Sequence, residues 1–277
     1  EGRNIGQDRP QADRKTSAKR GPMKTAVMIC GHGSRDRDAV AECARAAAGL
    51  TARLHDVAFG YLEFARPSIR EGLAALAARG AQRILVLPAM LSAASHVRRD
   101  LPREVERFAV DFPRIEVRFG RQLSTEPKLL EAAAARIAEG ERHGTADVPR
   151  RESLLLVIGR GTRDADANAN VGKLARLLAD NMEFGRVERG YDGTAEPLTE
   201  PALRHAATLG FKRIVVFPYF LFTGVLVKRV YAASDRVAAD RPAIEIIKAP
   251  YLGDHPLVLD CLADRVAELM GAGFPAH

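Results

Sequence analysis

Two histidines and a glutamate in the first half of the chain are the residue types of a metal site. His32 comes shortly after the apolar run at residues 26–30, and Glu63 follows a second run at 56–61. His96 comes a few residues after a third run. If the runs are parallel strands, their carboxyl ends open onto one crevice, where the three side chains would converge. Two imidazoles and a carboxylate that leave positions open suit divalent ions such as Co, Ni, Fe or Zn.

An internal repeat provides a control for this interpretation. The motif Gly-His-Gly-Ser-Arg-Asp at 31–36 returns as Gly-Arg-Gly-Thr-Arg-Asp at 159–164, again after an apolar run. Three pairs of aligned positions differ in their chemistry: His32 and Arg160, Glu63 and Gly193, His96 and Leu226. The turn itself therefore does not require a histidine. Because the three polar groups are missing together from the second copy, the sequence predicts a single site, in the first half.

The remaining motifs and histidines do not indicate a further binding or catalytic site. Gly31-x-Gly33 lacks the third glycine and the later acidic residue that a dinucleotide site needs, and no P-loop is present, so ATP is not expected as a cofactor. The other histidines have no identifiable partners, and we expect solvated or helix-capping roles for them: His55, His143, His205, His255 and His277.

The bulk composition is that of a globular protein long enough for two domains. The chain has 277 residues, of which 47% are hydrophobic and 28% charged. No apolar run approaches the ~20 residues that span a bilayer, so no membrane partner is expected. Three cysteines without CxxC spacing favour neither disulfides nor a thiolate metal site, and they fit a reduced cytoplasm. Aromatic residues are 6% and tryptophan is absent, so no nucleic-acid partner is indicated.

The net charge of +7 is concentrated in part at the start of the sequence. Residues 1–22 carry six basic and three acidic side chains and show no apolar periodicity. They are predicted to be a disordered basic leader. The excess of +4 in the remaining residues is mild, and it suits an acidic small molecule at least as well as a nucleic acid.

Short apolar runs alternate with helical patterns through both halves. In the first half, strands are predicted at 25–30, 56–61, 83–91 and 115–119, with helices between and after them. Pro67 is predicted to be the first residue of the second helix, and Gly80 to end that helix. The polar segment 141–152 is predicted to be a linker, after which the same order repeats. The predicted fold is α/β, with two tandem duplicated domains at 23–140 and 153–277, each a four-stranded parallel sheet flanked by helices.

Three motifs in order carry a resemblance to a known family. They are Gly31-His32-Gly33-Ser34-Arg35, Gly60-Tyr61-Leu62-Glu63 with Ala65-Arg66-Pro67-Ser68-Ile69, and His96-Val97-Arg98-Arg99-Asp100-Leu101-Pro102. Together they resemble the CbiX family, the sirohydrochlorin cobaltochelatases in their long two-domain form, which are ATP-independent class II chelatases. Segments that begin at Leu123 and Leu252 resemble the one that introduces the last helix of each half in this family. The resemblance covers about Met23 to Leu269.

The resemblance implies a chelatase-like fold and the insertion of Co²⁺, as the substrate metal, into sirohydrochlorin, an anionic tetrapyrrole made for cobalamin. The metal-binding histidines of the family correspond to His32 and His96, and its acidic residue corresponds to Glu63. Four arginines are candidates for binding substrate carboxylates: Arg35, Arg66, Arg98 and Arg99. No iron–sulfur cluster is expected, since the chain lacks the histidine-rich tract and cysteine cluster that some members carry. The loop before His96 departs from the family, because residues 92–95 read Ser-Ala-Ala-Ser where a glycine-rich segment is usual.

Other functions stay open at this stage. Relatives insert iron for siroheme, or nickel, and such sites can use the same ligands as a cobalt site. A histidine phosphatase also has a histidine after its first strand, but Gly31 stands where the phosphate-binding arginine is expected. A non-catalytic metal or tetrapyrrole carrier would bind its ligand without accelerating metallation.

Overall fold

The structure is a computed structural model that describes residues 23–54, 56–92 and 95–271, without the side chains of residues 95–97. The predicted leader at 1–22, and His55 and His277, lie outside the described residues. In the described part of the chain, no helix is both long enough and apolar enough to cross a bilayer.

Strands and helices alternate in both halves, as the sequence predicts. The first half contains β1 (Thr25–Gly31), α1 (Arg37–Leu54), β2 (Val57–Tyr61), α2 (Ile69–Ala78), β3 (Arg83–Pro88), α3 (Ser95–Asp111), β4 (Glu116–Phe119) and α4 (Pro127–Glu141). After a 3-10 turn at Arg150–Glu152, the second half contains β5 (Ser153–Gly159), α5 (Ala165–Met182), β6 (Arg186–Tyr191), α6 (Thr199–Ala206), β7 (Arg213–Pro218), α7 (Val225–Asp240), β8 (Glu245–Lys248) and α8 (Pro256–Gly271).

Each half forms one four-stranded sheet in which neighbouring strands are parallel. The strand orders are β2-β1-β3-β4 and β6-β5-β7-β8, so β1 and β5 have a strand on either side. Both strands are apolar and almost entirely buried, which is typical of a strand covered on both faces. The prediction of two duplicated four-stranded α/β sheets is confirmed.

The start of α2 differs from the prediction. Pro67 is not the first helical residue, because the helix begins at Ile69 and Ser68 is its N-cap. The Ser68 hydroxyl accepts a hydrogen bond from the Glu71 backbone N–H, and the Glu71 carboxylate accepts one from the Ser68 N–H. This reciprocal pair satisfies two otherwise unpaired backbone donors, and it fixes the helix start after the proline. Gly80 follows the end of the helix at φ 83°, a backbone conformation in which glycine has no steric penalty.

The last helix of each half packs across to the other sheet. α4 lies against β7 and β8, and α8 lies against β3. The guanidinium of Arg136 on α4 donates to the Leu252 carbonyl in the second half, and that of Arg265 on α8 donates to the Leu123 carbonyl in the first half. Both sheets therefore contribute to one shared apolar core, in which Leu85, Leu129, Leu155 and Val258 are buried.

Candidate functional site

The turns after β1 and β2 hold His32 and Glu63 next to each other. The backbone N–H of Glu63 donates to the His32 carbonyl at 3.0 Å, and that of Leu62 donates to the Gly31 carbonyl at 3.0 Å. These bonds continue the pairing of β1 with β2 past the strand ends. The expectation that the two residues converge at the carboxyl ends of the strands agrees with this geometry.

Gly33 makes this close approach of the two turns possible. Its φ is 95°, and a Cβ atom there would lie 1.7 Å from the Glu63 carbonyl oxygen. Any side chain at position 33 would therefore force the two turns apart. The glycine is needed for the spacing between His32 and Glu63, which is a more specific role than turn formation alone.

The imidazole of His32 lies among groups that orient its ring. Its Nδ1 is 3.4 Å from the Gly33 carbonyl oxygen, and its ring is stacked with that of Phe64 at a centroid distance of 6.3 Å. Phe64 is 56% exposed, and the guanidinium of Arg35 lies 5.1 Å above its ring. In the tautomer with the proton on Nδ1, the Nε2 lone pair is the one available to a metal ion.

The structure describes His96 only by its backbone. His96 is the second residue of α3, and its side chain lies outside the described residues. Residues 89–92, which lead towards α3, line the same cavity as His32, and so does Leu226, the counterpart of His96 in the second half. Among the described side chains, no group of three histidine, cysteine, aspartate or glutamate residues could hold a metal ion. The site of His32, Glu63 and His96 thus stays a prediction.

A cavity of about 510 Å³ lies between the two halves and opens beside His32. This volume is in the usual range for small-molecule sites, ~300–1,000 Å³. The first half contributes the His32 turn and Met90, and the second half contributes a wall that includes Phe220 and Val225. Its lining is largely apolar, and among the described residues its charged side chains are Arg35 and Arg160.

The second-half wall is fixed to the first half through Glu42 on α1. The Glu42 carboxylate accepts a hydrogen bond from the Thr223 backbone N–H at 2.7 Å and another from the Tyr251 hydroxyl. Hydrogen bonds to a charged acceptor are among the stronger ones in proteins. These hydrogen bonds therefore join the first-half wall of the cavity to the second-half wall.

The four arginines predicted to bind substrate carboxylates do not form one cluster. Arg35 and Arg66 line a neighbouring pocket of about 240 Å³, although Arg66 also forms an ion pair with Glu71. Arg98 forms an ion pair with Asp164 in the second half, and the Arg99 side chain is exposed. The structure thus brings Arg35 and Arg66 together beside the His32 turn, and it places Arg98 in a contact between the halves.

The second copy of the turn has no room for a glutamate. A Cβ atom at Gly193 would lie 2.3 Å from the Gly161 carbonyl oxygen and 2.4 Å from that of Arg160. The difference between Glu63 and Gly193 is therefore built into the packing of the two turns, which agrees with a single site in the first half.

Cys43 is a cavity residue that no motif of the sequence indicates. It lines the same cavity as His32, while Cys30 is fully buried nearby in β1. Burial raises the pKa of both thiols, and the proximity of the two groups contributes to the shift at Cys30. Both thiols therefore stay protonated at neutral pH, which makes them poor nucleophiles.

Comparison with known proteins identifies one family over both halves. The CbiX family model matches residues 26–140 and again residues 154–269. A sirohydrochlorin cobaltochelatase of Priestia megaterium is 31% identical over 254 residues, which cover 90% of this chain and 81% of the relative. A sirohydrochlorin ferrochelatase of the same organism is 30% identical over 255 residues, with 90% and 92% covered. The solved structure described as SirB from Bacillus subtilis with Fe³⁺ is 27% identical, has a TM-score of 0.78, and matches 90% of this chain and 96% of that one.

Proposed function

Because the chain belongs to the CbiX family, we propose that it is a sirohydrochlorin chelatase, with cobalt as its metal and His32, His96 and Glu63 at its site. The observation that carries this proposal is the hydrogen-bonded pair of turns that sets His32, which lines the cavity, beside Glu63. The relatives support the shared part of the activity, since both the cobaltochelatase and the ferrochelatase act on sirohydrochlorin by name.

The residues fit the steps of a metallation reaction. The metal ion must lose water, and the macrocycle must lose its pyrrolic protons. Neutral imidazoles of His32 and His96 would hold the incoming Co²⁺ and leave coordination positions for pyrrole nitrogens. The Glu63 carboxylate would accept one of the two released protons, and a histidine that has released the metal would accept the other, which are usual roles for a carboxylate and an imidazole held close to the reacting atoms. No nucleotide takes part in this scheme.

The cavity suits a flat macrocycle with an anionic edge. Its apolar walls, such as those at Met90 and Phe220, can cover the faces of the ring. Arginines Arg35 and Arg66 lie beside the His32 turn, where they can bind peripheral carboxylates through charge-assisted hydrogen bonds. In this arrangement the second half closes the cleft over the substrate, and the first half supplies the metal ligands.

A metallation assay tests this function directly. Sirohydrochlorin and Co²⁺ are mixed without oxygen, and the absorption change on metallation is followed with and without protein. We expect His32→Ala and His96→Ala each to lower the rate by about 100-fold or more, because each removes a metal ligand. His143→Ala, a substitution at an exposed histidine far along the chain from these motifs, is the matched control and should keep the wild-type rate.

Two outcomes would contradict the proposal. If His32→Ala metallates as fast as the wild type, the site is elsewhere. If the wild-type protein binds metal or macrocycle without accelerating metallation, the protein is a carrier.

The cobalt assignment has its own test, in which Co²⁺, Fe²⁺ and Ni²⁺ compete under identical conditions. Preferred insertion of Fe²⁺ or Ni²⁺ would overturn the choice of metal and leave chelation standing.

A further inference from the structure

The second-half wall of the cavity presents one charged side chain among the residues that the structure describes, Arg160. It lies in the turn after β5, at the position that His32 has after β1. Its side chain is accessible from the cavity. Within the described part of the chain, it forms no hydrogen bond or ion pair. It faces the first-half residues closely enough for the charge of Glu63 to act on it.

The surroundings of Arg160 leave its charge only partly compensated. Burial by the cavity walls lowers the pKa of Arg160, and the negative charge of Glu63 acts in the opposite direction. An arginine keeps its proton under these conditions. A guanidinium that has lost part of its hydration and has no directly bonded partner gains more from an incoming anion than one in open water does.

We propose that Arg160 binds a peripheral carboxylate of the tetrapyrrole from the wall opposite His32, and so contributes to the specificity for an acidic macrocycle. This inference rests on the proposed function. The planar guanidinium can hold a carboxylate with two parallel hydrogen bonds, which fixes orientation as well as position. With Arg35 on the first-half side of the cavity, the macrocycle would meet a cation on each wall.

Arg160 stands at the position where a second copy of the metal site would have its histidine, and its surroundings fit anion binding and not metal binding. A cation at the position equivalent to His32 repels a divalent ion, and the neighbouring Gly193 leaves no space for a carboxylate that would attract one. The same turn thus presents a metal ligand in one copy and an anion-binding group in the other. The two copies would act on different parts of one substrate, the metal ion and the edge of the ring.

Arg160 could instead act through Glu63, by stabilising the ionised carboxylate. The two roles predict different measurements. A carboxylate-binding role affects the affinity for the macrocycle, while a role at Glu63 affects metal binding and the rate at saturating substrate. The experiment therefore measures these quantities separately.

The test compares the wild type with Arg160→Ala, Arg160→Lys and Arg163→Ala. Arg163 lies in the same turn, is exposed and does not line the cavity, so its substitution is the matched control. Fluorescence titration with metal-free sirohydrochlorin gives the Kd of the macrocycle, calorimetry with Co²⁺ alone gives the Kd of the metal, and the metallation assay gives kcat and KM. We expect the Kd for sirohydrochlorin to rise about 10-fold or more in Arg160→Ala, less in Arg160→Lys, and less than about twofold in Arg163→Ala.

In the same Arg160→Ala variant, the Co²⁺ affinity and kcat at saturating sirohydrochlorin should stay within about twofold of the wild type. An unchanged Kd for sirohydrochlorin would overturn the proposal, and so would a loss confined to Co²⁺ affinity or kcat. Failure of the proposed function looks different. In that case the wild type does not accelerate metallation at all, whether or not Arg160→Ala weakens binding of the macrocycle.

Discussion

At the scale of single residues, the proposed site depends on a position that bears no functional group. Gly33 lets the backbone of the His32 turn approach that of the Glu63 turn, and its φ of 95° is one that other residues adopt only with strain. The distance between the two candidate groups is therefore set by a glycine. This explains why a glycine follows the histidine in the motif.

The substitution Gly33→Ala tests this role. The new methyl group would overlap the Glu63 carbonyl oxygen, so the turns must separate, and the backbone must also bear a positive φ. Overpacking and strain of this kind each cost about 1–3 kcal/mol. We expect Tm to fall by roughly 5 °C or more, with loss of most of the metallation activity. Differential scanning fluorimetry and the metallation assay measure the two effects.

Gly80→Ala is the matched control for Gly33→Ala. Gly80 also has a positive φ, of 83°, but no atom lies within 4 Å of the position that its Cβ would take. The substitution should cost only the backbone strain, about 1–2 kcal/mol, and leave kcat unchanged. Equal effects of Gly33→Ala and Gly80→Ala on the metallation rate would show that this rate does not depend on the spacing between the His32 and Glu63 turns.

At the scale of helices and strands, the last helix has an N-terminus whose stability depends on pH. The Leu257 backbone N–H donates to Nδ1 of His255, the residue before α8. Burial lowers the pKa of His255, and the positive charge of Arg136 adds to the effect, while Glu139 and Asp254 oppose it. The depressed pKa means that the folded protein favours the neutral ring, which is the form that can accept this hydrogen bond.

The sign of the pH effect follows from that shift. A group whose pKa is lower in the folded state stabilises the fold above its unfolded pKa, about 6.5 for histidine, and loses this contribution as the pH falls through the folded pKa. We expect the free energy of unfolding to decrease between pH 8 and pH 5. His255→Asn keeps an acceptor for the Leu257 N–H and does not titrate there. Urea denaturation at both pH values should show a smaller decrease for this variant, and an equal decrease would contradict the assignment.

The elements could be predicted where two stretches of sequence agreed on one pattern. Both halves show the same alternation of apolar runs and helical periodicity, and both form the predicted sheets. The predicted start of α2 at Pro67 is wrong because the capping box of Ser68 and Glu71, which also stands in the sequence, makes Ile69 the first helical residue. The packing of α4 on the second sheet was not predictable, because periodicity shows that a helix buries one face but not which sheet covers it.

For the proposed site, the sequence predicts which turns lie side by side, because that depends only on where the strands end. His32 and Glu63 meet because adjacent parallel strands end side by side. The surroundings of Arg98 and Arg160 depend on how the two halves face each other, and no local pattern in the sequence contains that information. The repeat shows that Arg160 stands where the first half has His32. Only the packing of the two halves shows that Arg160 lies in the cavity wall.

At the scale of the whole molecule, two ion-pair contacts at equivalent positions in the repeat join the halves, one made by Lys228 with two aspartates and one made by Arg98 with an aspartate. Lys228 in the first turn of α7 lies 2.7 Å from Asp36 and 2.8 Å from Asp38, at the start of α1. Its counterpart Arg98, in the first turn of α3, pairs with Asp164, the N-cap of α5. We call these two contacts the interdomain pairs. Each joins the start of a helix in one half to the start of a helix in the other.

Because the interdomain pairs occupy equivalent positions, we expect substitutions of Arg98 and of Lys228 to have similar effects on stability and on hydrogen exchange. Surface ion pairs of this kind contribute about 0–1 kcal/mol each, so Arg98→Met and Lys228→Met should each change Tm only slightly. Each should loosen the cavity walls, which hydrogen–deuterium exchange would show as faster exchange at residues 89–92 and 219–224. The hydrogen bond from Lys228 lowers the pKa of Asp36, so the contact persists at neutral pH and is lost only as the pH falls through that lowered value.

The comparison of these two variants also decides what Arg98 does. Sequence motifs alone suggest that Arg98 binds a substrate carboxylate, whereas the structure engages it with Asp164. If the ion pair is its main role, Arg98→Met and Lys228→Met should raise the KM for sirohydrochlorin by the same small factor, since the two contacts occupy equivalent positions. A rise of about 10-fold or more in Arg98→Met, with no change in Lys228→Met, would instead assign Arg98 to the substrate. Lys228 belongs to the copy without the histidines. The change in KM for Lys228→Met therefore measures the effect of losing a contact between the halves, separately from any effect on binding of the macrocycle.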